Sequence, residues 1–259
     1  MYKNKPEKIA AICQARMGST RLPGKTMMEL ADGKSLLWHV LNRVKYSKYI
    51  DNIIIATSND PQDRVIVEFA QNENYLVYIG NQYDVLDRYY QSAKKFNSEV
   101  IVRITPDDPF KDPEIIDKGI EIFFTEDADF VANYLKPTYP EGIDIEVFSF
   151  EVLKIAWQEA KKKYEREHVS PFIYHNKGRF KVIDFHNDTD YSSMRWTIDY
   201  KQDFVFAQEV YKRLYKPGKI FLMNDIINLL KREPELTKIN SGIERAEGLK
   251  KSMKEEGIR

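Results

Sequence analysis

Residues 14–25 read QARMGSTRLPGK, and the interpretation of the whole chain turns on this dozen. Just upstream, residues 9–15 form an apolar run without polar alternation, which predicts a strand buried on both faces. Downstream, residues 35–47 carry Leu36, Leu37, Val40, Leu41 and Val44 at helical spacing. The stretch is therefore a turn from a strand into a helix, and open parallel sheets bind ligands at such strand ends. It holds two glycines, two hydroxyls and three cations, Arg16, Arg21 and Lys25. Glycine lets the backbone approach a polyanion, and free amides in succession form an anion-binding concavity. Arginine adds forked donors matched to phosphate oxygens, and lysine adds a point charge.

Working outward, the same alternation repeats. Strands are predicted at 52–57, 75–79, 99–105 and 128–132, and helices at 61–72, 84–96 and 112–124, the last with Asp112 as its N-cap. Apolar strands separated by helices of this length predict an α/β fold, a mostly parallel twisted sheet flanked by helices. After Asn133 the pattern changes. Residues 134–142 read as a loop, 143–150 as a strand, 150–162 as a helix, and 165–175 as a helix that Pro171 can break. A strand at 180–185, a loop at 184–193, a short strand at 196–199 and a helix at 201–215 follow; from residue 221 the chain reads as helical and increasingly charged. One domain is expected over 1–259, with about 134–194 as an inserted arm for the acceptor or for dimerisation.

Composition narrows the partners. With 40 basic and 40 acidic residues the formal net charge is zero, whereas nucleic-acid binding favours a basic excess. A polynucleotide partner is not expected, while a local cationic turn still suits a small anion. Cys13 is the only cysteine, so no internal disulfide or cysteine metal cluster can form. Residues 1–8 are charged and lack a leader's apolar stretch, and no run reaches the length of a membrane span. The expectation is cytoplasmic, with no membrane partner.

One decoy lies inside the turn. Residues 18–26 approach a P-loop, but five residues instead of four separate Gly18 from Gly24, and Pro23 removes an amide from the cradle. No GxGxxG follows the strand either. QARMGSTRLPGK, followed in order by LLWHVLNRV, IIIATSND, DVLDRYYQSA, VRITPDDP, REHVSPFIY and RWTID, resembles the SpsF-type cytidylyltransferases of spore-coat polysaccharide synthesis, a group similar to the CMP-sialate and CMP-ulosonate synthetases. The resemblance spans roughly residues 9–240. It implies a Rossmann-like nucleotidyltransferase fold of GT-A type, CTP as substrate, transfer of CMP to a sugar acid or a phosphorylated small molecule, release of pyrophosphate, and a homodimer.

A triphosphate reaction needs hard oxygen ligands for magnesium. Asp107 and Asp108 follow the strand at 99–105, and Asp199 ends the short strand at 196–199. The resemblance places the metal ligands on Asp107 and Asp199; Pro106 stands where the family has glycine and leaves open which adjacent aspartate faces the ion. Catalytic candidates are Arg16, Arg21, Lys25 and Asp107. Nucleotide-binding candidates are Gln14, Ala15, Arg16, Met17, Gly18, Ser19, Lys25, Gly80, Asp84, Arg88 and Thr105; cytosine itself rests on the resemblance. Acceptor-binding candidates are Tyr139, Glu141, Asp144, Glu146, Arg166, Glu167, His168 and Arg195. Asp144 and Glu146 fall on one face of their predicted strand, where they require hydroxyls or an amine of the acceptor, or ion pairs with Arg166 or Arg195. His168 can act as base toward a hydroxyl acceptor. Two other readings stay open, a P-loop-like hydrolase or switch and a catalytically silent nucleotide-binding member.

Overall fold

Side chains of Ile9–Gln14 (β1) alternate between two cores: Ile9, Ala11 and Cys13 join one buried cluster, Ala10 and Ile12 the other. A strand with helices on both faces needs apolar residues at every position, hence the absence of polar alternation. This computed structural model describes residues 8–258; residues 1–7, which carry most of the charged start, lie outside the described residues.

From β1 the chain passes through a small hairpin, Glu29–Ala31 (β2) and Lys34–Ser35 (β3), into helix Leu36–Val44 (α1). Asn52–Ser58 (β4), Arg64–Asn72 (α2), Leu76–Gly80 (β5), Val85–Lys95 (α3), Val100–Ile104 (β6), Pro113–Thr125 (α4) and Phe130–Ala132 (β7) complete the first half. The second half supplies Glu146–Ser149 (β8), Phe150–Glu159 (α5), Lys163–His168 (α6), Pro171–His175 (α7), Val182–Asp184 (β9), Lys201–Leu214 (α8), Met223–Arg232 (α9) and Glu247–Glu255 (α10). The seven-stranded sheet has the order β5-β4-β1-β6-β8-β7-β9. Its pairs are parallel except at β8, which runs antiparallel to both β6 and β7.

Helix starts follow their caps. Ser35 Oγ accepts from the Trp38 amide at 3.2 Å, and Asp84 caps α3 through the Asp87 amide at 2.9 Å. Asp112 accepts from the Glu114 amide at 2.9 Å and, with its other oxygen, from the Met223 amide at 2.7 Å, tying α4 to α9. Among the described residues no helix is long and apolar enough to cross a membrane.

Three segments differ from the sequence reading. The strand expected over 143–150 begins only at Glu146, because the buried Asn133 side chain pairs with the Ile143 carbonyl (3.1 Å) and the Ile145 amide (2.9 Å) in place of a ladder. The helix expected over 165–175 breaks into α6 and α7 at Val169, which has φ 73°. Residues 196–199 form no strand. They are stitched by single bonds, Trp196 amide to Glu141 carbonyl (2.7 Å) and Ile198 amide to Asp107 carbonyl (2.8 Å). The stretch 134–194 contributes β8 and β9 to the sheet, and its helices α5 and α7 pack in the buried cluster on one face of it.

Candidate active site

The turn after β1 folds back on itself. Gly24, at φ 74°, takes a left-handed conformation that glycine adopts without strain, and its amide reaches the Met17 carbonyl at 3.2 Å. Thr26 Oγ1 donates to the Arg16 carbonyl at 2.9 Å, and Asp63 holds the Met17 amide at 2.6 Å. Gly18, by contrast, has room for a Cβ, so space alone does not demand glycine there. This closed turn drops Lys25 beneath itself. The buried ammonium donates to Asp107 Oδ2 (2.8 Å), Asp199 Oδ1 (3.0 Å) and the Ile198 carbonyl. Two carboxylates 92 residues apart in sequence thus meet one lysine from the turn.

Electrostatics tie these groups together. Burial works against the Lys25 ammonium, but Asp107 and Asp199 outweigh it and raise its pKa above the ordinary lysine value. Burial pushes Asp107 upward, with Lys25 only partly offsetting it. At Asp199 burial is overcome by Lys25 and Arg21, which bring its carboxyl down to about 2. Arg21 lies 2.6 Å from Asp199 and 3.3 Å from Glu247. Arg16 is far looser, with Glu167 at 4.0 Å and 43% of its side chain exposed.

The adjacent aspartates separate. Asp108 is buried against Lys111 (2.8 Å) and accepts from Thr105 Oγ1, whereas Asp107 faces Lys25. Asp107 and Asp199 converge on the point held by the Lys25 ammonium, so the pair is arranged to face positive charge. Among the described residues no group of three or more His, Cys, Asp or Glu is placed to hold a metal. Two carboxylates completed by phosphate oxygens and water match the way magnesium is held in nucleotide sites, so these residues fit that ion.

Around them opens a crevice of about 510 Å³, within the range of small-molecule sites. Of the candidates, Gln14, Ala15, Arg16, Gly18, Ser19, Arg21, Lys25, Arg88, Thr105, Asp107, Glu141, Asp144, Glu167, His168 and Asp199 line it. Met17, Gly80, Asp84, Tyr139, Glu146, Arg166 and Arg195 are not in its wall. Several of these serve as struts. Arg166 pairs with Asp84 at 2.7 Å, and Arg195 holds Glu141 (2.8 Å), Asp203 (3.0 Å) and Asp199 (3.1 Å). Arg88 lines the crevice yet donates to the Asn81 and Gln82 carbonyls (2.6 and 2.9 Å), fixing the turn after β5.

The carboxylates of 144 and 146 are ion-paired, with partners other than those anticipated. Asp144 meets Arg245 at 2.5 Å, and Glu146 meets Arg103 at 2.6 Å across the β6–β8 pair. His168 Nε2 lies 3.1 Å from Ser252 Oγ; burial first, then Arg103, push its pKa down to about 4. Two contributors were missed in the sequence. Arg103 lines the floor and donates to Gln14 Oε1 at 3.3 Å; a lone charge in the apolar run VIVRI was the available signal. Helix α10 forms one side through Glu247, Lys251, Ser252 and Glu255, and nothing in its charged sequence places it there.

Comparison with known proteins identifies relatives of the whole chain. Residues 10–232 match the family model described as cytidylyltransferase. An uncharacterized protein of Methanocaldococcus jannaschii is 38% identical over 241 residues, covering 91% of this chain and 96% of that one. The spore coat polysaccharide biosynthesis protein SpsF of Bacillus subtilis is 32% identical over 234 residues, 88% of this chain and 95% of that one. A solved cytidylyltransferase from Leptospira borgpetersenii superposes with a TM-score of 0.86 at 32% identity, covering 92% of this chain and all of that one. The cationic turn, the paired aspartates across one crevice and these matches together place the chain in the cytidylyltransferase family.

Proposed function

We propose that this crevice transfers CMP from CTP to a small anionic acceptor, a sugar acid or a phosphorylated compound, with release of pyrophosphate. The observation that carries the reading is the convergence of Asp107 and Asp199 on Lys25 beneath the turn 14–25. Likeness to the spore coat protein supports a place in the synthesis of a surface polysaccharide such as a capsule or coat. The chain is read as a cytoplasmic homodimer acting without nucleic acid or membrane, with the stretch 134–194 contributing to the acceptor site or the dimer contact; light scattering tests the dimer.

Asp107 and Asp199 would hold magnesium, which when bound neutralises triphosphate charge. Arg16, exposed at the crevice mouth, is available to a phosphate oxygen, and Arg21 and Lys25 supply further positive charge toward departing pyrophosphate. Ser19 and the turn amides line the same wall, and the turn fixed by Arg88 is the candidate for the base. Acceleration then comes from positioning and charge stabilisation, with little covalent participation by the protein.

His168 bears on the acceptor. With its pKa near 4 it is a weak base at neutral pH. It is therefore poorly suited to serve as the base that a hydroxyl acceptor would need. The test is a screen of acidic sugars and phosphorylated small molecules with CTP, reading pyrophosphate, with magnesium omitted as control. Acceptor-dependent pyrophosphate supports the reading; acceptor-independent orthophosphate favours a hydrolase, and CTP binding without turnover on any acceptor favours a silent member.

A further inference from the structure

Helix α10 buries none of its residues, yet its contacts converge on the two arginines of the phosphate turn. Glu247 Oε2 lies 3.3 Å from Arg21 Nη1 and accepts from Tyr200 Oη at 2.7 Å. Asp199 sits 2.6 Å from Arg21 Nη2, so both ends of that guanidinium face a carboxylate. Farther along the helix, Ser252 Oγ donates to Glu167 Oε2 at 3.3 Å, and Glu167 Oε1 faces Arg16 at 4.0 Å. One helix thus sets a carboxylate against Arg21 directly and steadies another against Arg16 through Ser252.

We propose that α10 is a gate on polyphosphate entry, in which Glu247 and Glu167 hold the arginines until an incoming polyphosphate takes them and the helix pivots aside. The proposal rests on reading the crevice as a triphosphate site. A ligand that needs Arg21 must displace Glu247, so its apparent affinity falls by the fraction of molecules in which the arginine is free. The helix is suited to this motion. Side-chain exposures of 40% at Glu247 and 28% at Arg21 mark a solvent-screened pair, individually weak. Without buried apolar residues α10 belongs to the least stable part of the fold. The segment leading into it bends at Gly242 (φ 83°) and Ala246 (φ 54°). Its far end is tied by Glu256, which accepts from the Lys163 and Tyr164 amides at 3.1 and 2.6 Å, and the chain just before it by Arg245 on Asp144 and by the Ala246 amide on Glu141 Oε1 (2.8 Å), so the helix can pivot between these anchors without coming free.

The test uses the full chain with magnesium and inorganic tripolyphosphate, a probe without base or sugar. Calorimetric titration of Glu247→Gln is expected to show binding about threefold to fivefold tighter than wild type, the scale of one exposed ion pair. Glu244→Gln, which removes an exposed carboxylate paired with Lys250, serves as control and stays within about twofold of wild type. Hydrogen exchange in wild type is expected to accelerate in α10 when the probe saturates, with α9 unchanged. Equal affinity of wild type and Glu247→Gln, or α10 amides that slow or hold steady at saturation, overturns the gate while leaving the triphosphate site intact. Absence of tripolyphosphate binding in both proteins overturns the triphosphate reading and the gate with it.

Discussion

Lys25→Met separates the electrostatic role of the turn from its shape. Methionine keeps the length of the lysine stem and removes the ammonium between Asp107 and Asp199. The lysine side chain is 8% exposed and the two carboxylates 25% and 18%, so the array is mostly but not wholly desolvated. Removing one partner of a fully buried pair costs about 3–5 kcal/mol; with water reaching both carboxylates, about 2–3 kcal/mol is expected here. In a chain of this size each kcal/mol lowers Tm by roughly 2–4 °C, giving a drop of about 5–10 °C. The assay is thermal unfolding by circular dichroism at pH 7.5, repeated with millimolar magnesium chloride. Magnesium is expected to recover part of the loss in the variant, since Asp107 then lacks its cation beside Asp199, which keeps Arg21 and Arg195, and to shift wild type far less. A variant melting within about 2 °C of wild type and indifferent to magnesium would refute the claim that Lys25 holds the acidic pair together.

Arg16→Ala is expected to leave Tm nearly unchanged, because the side chain is exposed and its ion pair long, while acceptor-dependent pyrophosphate release falls about a hundredfold or more. His168 sets a pH slope. Its folded pKa near 4 lies below the ordinary 6.5, so between those values the unfolded chain takes up a proton that the folded one refuses, and stability declines as pH falls from about 6.5 to 4. His168→Gln should flatten that part of the urea-unfolding profile by about 3 kcal/mol, and an unchanged slope would count against it. Gly142→Ala should lose about 2–4 kcal/mol in the same assay, because its Cβ would lie 2.6 Å from the Thr197 nitrogen at a φ of 102°.

The first half of the fold was legible because its signals are local. Apolar runs such as 52–57 and caps such as Asp112 report their own conformation, and the boundaries of those two elements moved by a single residue, while the ends of α1 and α2 moved by up to three. What escaped depends on tertiary contacts. Asn133 takes backbone bonds that a ladder would have made, and residues 196–199 have strand composition but dock singly onto Glu141 and Asp107. The same holds in the site. Arg16, Lys25, Asp107 and Asp199 were marked by residue type and motif, but the split between Asp107 and Asp108 depends on where Lys111 and Lys25 lie. The partners of Asp144 and Glu146, Arg245 and Arg103, come from a distant loop and a neighbouring strand that no spacing rule connects.

Phosphorus NMR of CTP, magnesium and a responsive acceptor, run with wild type and with Asp107→Asn, follows all three phosphates at once. Wild type should convert the β and γ signals into pyrophosphate in step with a new CMP-linked product, and Asp107→Asn or omission of magnesium should slow both by about a hundredfold or more. Orthophosphate appearing from the γ position, or undiminished turnover by Asp107→Asn, would contradict the assignment of this crevice to metal-assisted nucleotidyl transfer.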